Sequence, residues 1–209
     1  MQENYLIIVE NRHCTKLQLN DWETYYLGRE QTPNKSIVLS STLVSRKHAR
    51  LFMVDGMWFY CDTGNLNGTW YRGEKISAGL GGRRHPVMLR NGDVLQIGEI
   101  NDPDRVWMLF ITQNLNNLNY VAFPGTDRIS IGSAENNTLV LRSSCVSPVH
   151  ARISKDKSDY YVEAGGNSEG TYINGDLILS PVKLNDCDKI SVGDYRLIFT
   201  GNGFLLYQK

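Results

Sequence analysis

No apolar run in this 209-residue chain approaches the roughly 20 residues that a membrane-spanning helix needs. The longest runs, residues 106–111 and 5–9, have the length of strands. There is no excess of charge of either sign: 22 Lys and Arg balance 22 Asp and Glu. That excludes the basic footprint of a nucleic-acid binder or of a protein drawn to an anionic membrane. Any anion recognition must therefore be local. The first residues, Met-Gln-Glu-Asn-Tyr, lack the basic stretch of a secretory leader, so a cytoplasmic location is expected. The four cysteines, Cys14, Cys61, Cys145 and Cys187, form no Cys-x-x-Cys pair and no metal-ligand spacing. Free thiols, no metal and no cofactor are the expectation. Asn67-Gly-Thr and Asn136-Asn-Thr match the glycosylation sequon; without a leader both are read as chance. Disorder is excluded as well, because 41% hydrophobic residues bury enough surface to offset chain entropy.

What the chain does have is an internal repeat. Ser45-Arg-Lys-His-Ala-Arg matches Ser147-Pro-Val-His-Ala-Arg, 102 residues on. The same offset carries Gly68-Thr69 onto Gly170-Thr171. Later, Leu89-Arg-Asn-Gly-Asp matches Leu184-Asn-Asp-Cys-Asp at an offset of 95, and the difference falls in a Gly- and Arg-rich stretch over residues 77–85. That stretch lacks the Gly-Lys-Ser/Thr ending of a nucleotide loop and is read as a surface loop. Upstream, Gly28-Arg29 matches Gly132-Ser133. Two copies of one domain follow, with an Asn-rich junction over 113–119 and a boundary expected at 115/116.

Within each copy the apolar residues alternate over short runs, as in 5–9, 49–54, 57–61, 94–97, 129–131, 189–192 and 204–207. Asp55-Gly56 between two such runs is a hairpin turn. No window carries a sustained 3.6-residue period. An all-β sandwich is expected for each copy, with binding residues on the loops at one end.

Four polar blocks of the first copy fall at strand ends: Gly28-Arg29, Ser45-Arg-Lys-His48, Asn65-Leu-Asn-Gly-Thr69 and Arg72-Gly73. Arginine offers a planar fork of donors suited to phosphate oxygens. A serine hydroxyl can donate to the same anion, and an asparagine amide can grip a peptide backbone through both its groups. These are the parts of a site for a phosphorylated side chain, which carries about −1.5 to −2 charges and three strong acceptors. Each block taken alone has a plainer reading: a surface arginine, a turn serine, a solvated Arg46 and Lys47, a turn Asn-Gly. Trp58 and Trp70 are read as packing residues rather than a stacking platform.

In this order and spacing the blocks resemble the forkhead-associated (FHA) domain, and the resemblance covers the whole chain as a tandem. It implies an eleven-stranded β-sandwich binding phosphothreonine peptides. Carried over, Arg29 and Ser45 contact phosphate, Arg46 adds a contact, and Asn67 grips the peptide backbone. Gly28, His48 and Gly68 fall on framework positions of the loops. The second copy departs at the decisive places: Ser133 stands for Arg29 and Glu169 for Asn67, so a carboxylate replaces an amide beside the phosphate. That copy is expected to keep the fold and to have lost phosphate binding.

A narrower resemblance is to the N-terminal cytoplasmic region of FtsK/SpoIIIE-type membrane ATPases of type VII secretion, which carry such tandems. It implies secretion-system components as partners, and the end at Tyr-Gln-Lys fits a segment preceding a membrane span. The competing reading is a phosphate-independent assembly platform. An enzyme is disfavoured, since no nucleophile elbow, carboxylate pair or metal set is legible.

Overall fold

Short alternating runs punctuated by turn residues become strands. The computed structural model describes residues 3–64, 67–76, 86–99, 102, 104–112, 118–166, 170–185, 187–201 and 203–208. Among these no helix is present. The chain divides into two compact units, Met1–Asn114 and Leu115–Lys209. The division expected from sequence lies one residue later, in a stretch outside the described residues.

Among its described residues the first unit holds eleven strands: β1 (Asn4–Glu10), β2 (His13–Leu19), β3 (Tyr25–Gly28), β4 (Ser36–Val38), β5 (Ala49–Val54), β6 (Met57–Asp62), β7 (Thr69–Tyr71), β8 (Glu74–Lys75), β9 (Val87–Met88), β10 (Val94–Ile97) and β11 (Val106–Ile111). They form two sheets, ordered β2-β1-β11-β10-β7-β8 and β4-β3-β5-β6-β9. All pairings are antiparallel except β3 with β4. The inward residues alternate along the strands, as a sandwich requires. Leu6, Ile8, Leu27, Leu51, Trp58, Leu95, Met108 and Phe110 meet between the sheets. Fully burying one such side chain contributes about 1.5–3 kcal/mol. The Asp55-Gly56 hairpin has both residues at positive φ (49° and 76°), the geometry that matches the twist of paired strands.

The second unit also has eleven strands among its described residues: β12 (Asn119–Ala122), β13 (Arg128–Gly132), β14 (Leu139–Val140), β15 (Ala151–Asp156), β16 (Asp159–Ala164), β17 (Thr171–Ile173), β18 (Asp176–Leu177), β19 (Val182–Lys183), β20 (Lys189–Val192), β21 (Tyr195–Phe199) and β22 (Gly203–Gln208). Its sheets are β12-β22-β21-β20-β17-β18 and β14-β13-β15-β16-β19. Its core gathers Ile131, Ile153, Val162, Ile190, Leu197, Phe199 and Phe204.

The two orders differ in where the chain begins. In the first unit the strand beside β11 is the N-terminal β1, antiparallel to it, and β2 is the edge. In the second, that place beside β21 is filled by β22, the last strand, and β12 takes the edge. One strand has moved from the start of the domain to its end, and the sheet geometry is unchanged. The step from β21 to β22 costs little, because adjacent antiparallel strands need only a tight turn.

A second difference concerns the β10–β11 connection. Ile97 faces Val106 across it, as Val192 faces Tyr195 in the second unit. Residues 98–105 lie between the first pair, but only Gly193 and Asp194 between the second.

Candidate functional site

Strand β3 ends at Gly28, where it runs hard against the loop before β5. A Cβ on Gly28 would stand 2.1 Å from the Arg46 carbonyl oxygen, so only glycine permits the approach. Two loop bonds lock it: Arg29 N–H donates to Ser45 O (3.1 Å) and Glu30 N–H to Arg46 O (3.3 Å). The side chains of Arg29, Glu30, Ser45, Arg46 and Lys47 consequently line one open surface cleft of about 570 Å³.

Within the cleft the donors are only partly used. Arg29 is exposed, and its Nε donates to the Val44 carbonyl at 2.6 Å. That bond fixes the plane of the guanidinium and leaves its two terminal NH2 groups without a partner among the described residues. Ser45 is half-buried; its N–H donates to His48 Nδ1 (3.1 Å), and its hydroxyl has no partner among the described residues. Arg46 sits 3.7 Å from Glu30 in a pair exposed on both sides, too solvated to be more than a weak restraint. Lys47 is exposed.

Asn67 belongs to the next loop. Its Nδ2 donates to the Leu43 carbonyl at 2.8 Å, which ties the loop before β7 to the loop before β5. Its Oδ1 has no partner among the described residues. The following Gly68 is buried with φ of 72°, a conformation that side chains disfavour. Asn65 and Leu66, which precede Asn67, lie outside the described residues, as do the stretch 77–85 and Glu169.

Beneath the cleft lies a network that the sequence alone did not reveal. His48 is fully buried and links both loops. Since its Nδ1 accepts from Ser45, its proton sits on Nε2, which donates to Thr69 Oγ1 at 3.2 Å. Thr69 donates to Asp62 Oδ2 (3.0 Å) and accepts from the Tyr60 hydroxyl (2.8 Å). Asp62 Oδ1 accepts the Gly64 N–H at 2.8 Å. Burial holds the His48 ring neutral, its pKa lowered to about 4 although Asp62 opposes the shift. The signal in the sequence was the polar Asp62 ending an otherwise apolar strand.

The second copy reproduces the frame. Ser133 N–H donates to Ser147 O (2.9 Å) and Ala134 N–H to Pro148 O (3.2 Å). Ser147 N–H donates to His150 Nδ1 at 3.2 Å. A Cβ on Gly132 would stand 2.2 Å from the Pro148 carbonyl oxygen. Yet the four outward positions that read Arg29, Glu30, Arg46 and Lys47 in the first copy read Ser133, Ala134, Pro148 and Val149 in the second. Underneath, Val162 and Ala164 replace Tyr60 and Asp62, and His150 Nε2 bonds to the Gly170 carbonyl instead (2.9 Å).

A family model described as FHA domain matches residues 25–98 and again 129–193. The chain is 38% identical over 60 residues to the FHA domain-containing protein FhaB of Mycolicibacterium smegmatis, covering 29% of this chain and 39% of that protein. It is 35% identical over 94 residues to the glycogen accumulation regulator GarA of the same organism, covering 45% of this chain and 53% of that protein. The chain thus spans about half or less of the curated relatives that it matches. Among solved structures, the N-terminal FHA domain from EssC, a component of the bacterial type VII secretion apparatus, is 12% identical with a TM-score of 0.38, covering 98% of this chain and 92% of that one.

Proposed function

The chain belongs to the FHA family, as two FHA domains in tandem, and from that premise we propose that the first domain binds phosphothreonine-containing segments of other proteins. The observation that carries this is the pairing in one cleft of unspent donors, the terminal NH2 groups of Arg29 and the Ser45 hydroxyl, with the cations of Arg46 and Lys47. Arg29 and Ser45 take the phosphate. Arg46 leaves its weak pair with Glu30 to join them. Asn67, held at Nδ2, offers Oδ1 to a peptide N–H beside the phosphothreonine. Charge-assisted hydrogen bonds contribute about 1.5–3 kcal/mol each, so two of them separate phosphorylated from unphosphorylated peptide by about a hundredfold at the least and about ten-thousandfold at the most. The choice of phosphothreonine over phosphoserine is carried over from the family.

The second domain, without a cation at any of the four matching positions, serves as a structural or protein-docking unit. The tandem with one altered copy supports a finer reading: the cytoplasmic N-terminal part of a type VII secretion membrane ATPase, with secretion-system components as partners. Co-purification of the chain with those components tests that reading.

The decisive experiment titrates the chain with an oriented phosphothreonine peptide library, alongside phosphoserine and unphosphorylated controls. Binding confined to phosphothreonine, lost in Arg29→Ala and kept in Ser133→Ala, establishes the first domain as the reader. No binding by the folded chain would sink the proposal and leave a phosphate-independent assembly platform in its place.

A further inference from the structure

Glu10 ends β1, far in sequence from every block that marks the site. In space its Oε1 accepts two backbone N–H groups at once, from Ser40 and from Ser41, each at 2.7 Å. Asn11 beside it donates from Nδ2 to Ser40 Oγ at 2.8 Å. Ser41 is buried and closes the turn that follows: its hydroxyl accepts Leu43 N–H at 3.2 Å, and its carbonyl accepts Val44 N–H at 3.1 Å. The same hydroxyl donates to the Asp104 carbonyl in the long β10–β11 connection. The turn then presents two consecutive carbonyls. Leu43 O holds Asn67 and Val44 O holds Arg29.

We infer that Glu10 is a positioning residue for the phosphopeptide site, acting through the Ser40–Ser41 turn to aim both Arg29 and Asn67. Its consequence for binding rests on the phosphopeptide reading above; its effect on the two side chains does not. An ionised carboxylate suits the task, because two N–H groups converging on one oxygen need a strong acceptor. The second domain offers the natural contrast. Val9 lies opposite Trp107 as Tyr207 lies opposite Arg196, so one step further on Gln208 takes the place of Glu10. Gln208 donates its amide to the Asp194 carboxylate. The strand-end carboxylate is thus an amide in the copy whose arginine is also absent; Asp194, which that amide holds, bonds the Ser143 side chain of the matching turn, and the strand that carries Gln208 is the one that changed ends.

The test uses the whole chain as wild type, Glu10→Ala and Glu10→Gln. Two readouts are taken: affinity for a phosphothreonine peptide selected from the library, and the Arg29 Nε–H resonance with its solvent exchange in peptide-free protein. Thermal unfolding is followed in parallel. Glu10→Ala is expected to weaken binding about tenfold, to shift the Arg29 Nε–H signal toward that of a solvated arginine, and to leave the transition within a few degrees. Glu10→Gln, which keeps one acceptor oxygen, recovers part of both. An unchanged Arg29 signal with unchanged affinity overturns the inference. So does a loss of binding that tracks a loss of fold in both variants while Arg29 stays protected in the folded fraction. If wild type binds no phosphopeptide, the phosphopeptide reading falls, and the Arg29 signal alone still decides whether Glu10 positions that side chain.

Discussion

Ser45 and Ser147 are held in the same way, by an N–H bond to a buried histidine three residues on and by a carbonyl that caps the end of the neighbouring strand. Around Ser45 stand two arginines, a lysine and a glutamate; around Ser147 stand serine, alanine, proline and valine. The frame that builds an FHA loop cluster is thus separable from the charges it displays. The glycine, the histidine and the backbone bonds keep the loops in place whether or not anything binds there. On the proposed reading, ligand chemistry sits on side chains that line the cleft, and the second copy shows that those side chains can differ while the fold is kept.

The largest effect is expected from exchanging those outward residues. Arg29→Ser, Glu30→Ala, Arg46→Pro and Lys47→Val together convert the first surface into the second. This variant should lose phosphopeptide affinity by about a thousandfold, since the charge-assisted bonds go with the cations. Its fold should be nearly untouched. All four tryptophans, Trp22, Trp58, Trp70 and Trp107, lie in the first domain, so tryptophan fluorescence reports that domain's unfolding alone. A drop of more than a few degrees in that transition would show that surface and frame are not separable.

The buried network distinguishes the two frames themselves. Removing Asp62 leaves the Thr69 hydroxyl and the Gly64 N–H without their acceptor. Asp62→Ala should cost about 2–4 kcal/mol by denaturant unfolding, although Ala164 stands at the matching position of the second copy, where His150 bonds the Gly170 carbonyl instead. His48 adds a pH dependence. Its folded pKa, about 4, lies below the ordinary value of 6.5. The unfolded chain therefore binds the proton first. The contribution is fully present above pH 6.5, falls as pH drops toward 4, and is lost below that. The swing is roughly 3 kcal/mol in the tryptophan-detected transition. His48→Gln should flatten that slope.

Most of the fold was legible because it rests on local signals. Alternating runs, the Asp55-Gly56 turn and the matched Ser-x-x-His blocks give the two sandwiches and the loops that matter. The moved strand was not legible from the offset, since the repeat is detectable only from β3 onward, and β1 and β22 lie outside the matched stretch. A clue was present: two strand-like runs, 196–199 and 204–207, follow the last matched block of the second copy where one, 106–111, follows it in the first, and one run precedes the first matched block there where two do in the first. Pro148 and Val149 are readable beside Ser147, but only the structure shows that they stand where Arg46 and Lys47 line the cleft of the first copy. Glu10 had no signal at all. A carboxylate that caps backbone N–H groups thirty positions away is defined by tertiary approach, and no spacing rule encodes that.

A smaller test asks whether the glycines belong to the frame in both copies. Gly28→Ala and Gly132→Ala each drive a Cβ into a carbonyl oxygen, and each should destabilise its own domain by about 1–3 kcal/mol. Only Gly28→Ala should also weaken phosphopeptide binding, because the carbonyl it displaces belongs to Arg46. Equal stability losses with a binding loss in one variant alone would confirm a shared frame under unlike surfaces.

The smallest effect isolates Glu30, the one carboxylate among the described residues that line the cleft. Glu30 lies 3.7 Å from Arg46, and both side chains are mostly solvated. A pair like this is worth about 0.2–1 kcal/mol. A phosphate dianion must draw Arg46 away from it and then sit beside the freed carboxylate. Glu30→Gln removes both penalties, so phosphopeptide affinity should rise about two- to threefold. Salt screens the interaction between solvent-exposed charges, and the gain should shrink as ionic strength is raised. Weaker binding in Glu30→Gln would mean that Glu30 orients Arg46 for the phosphate instead of competing with it.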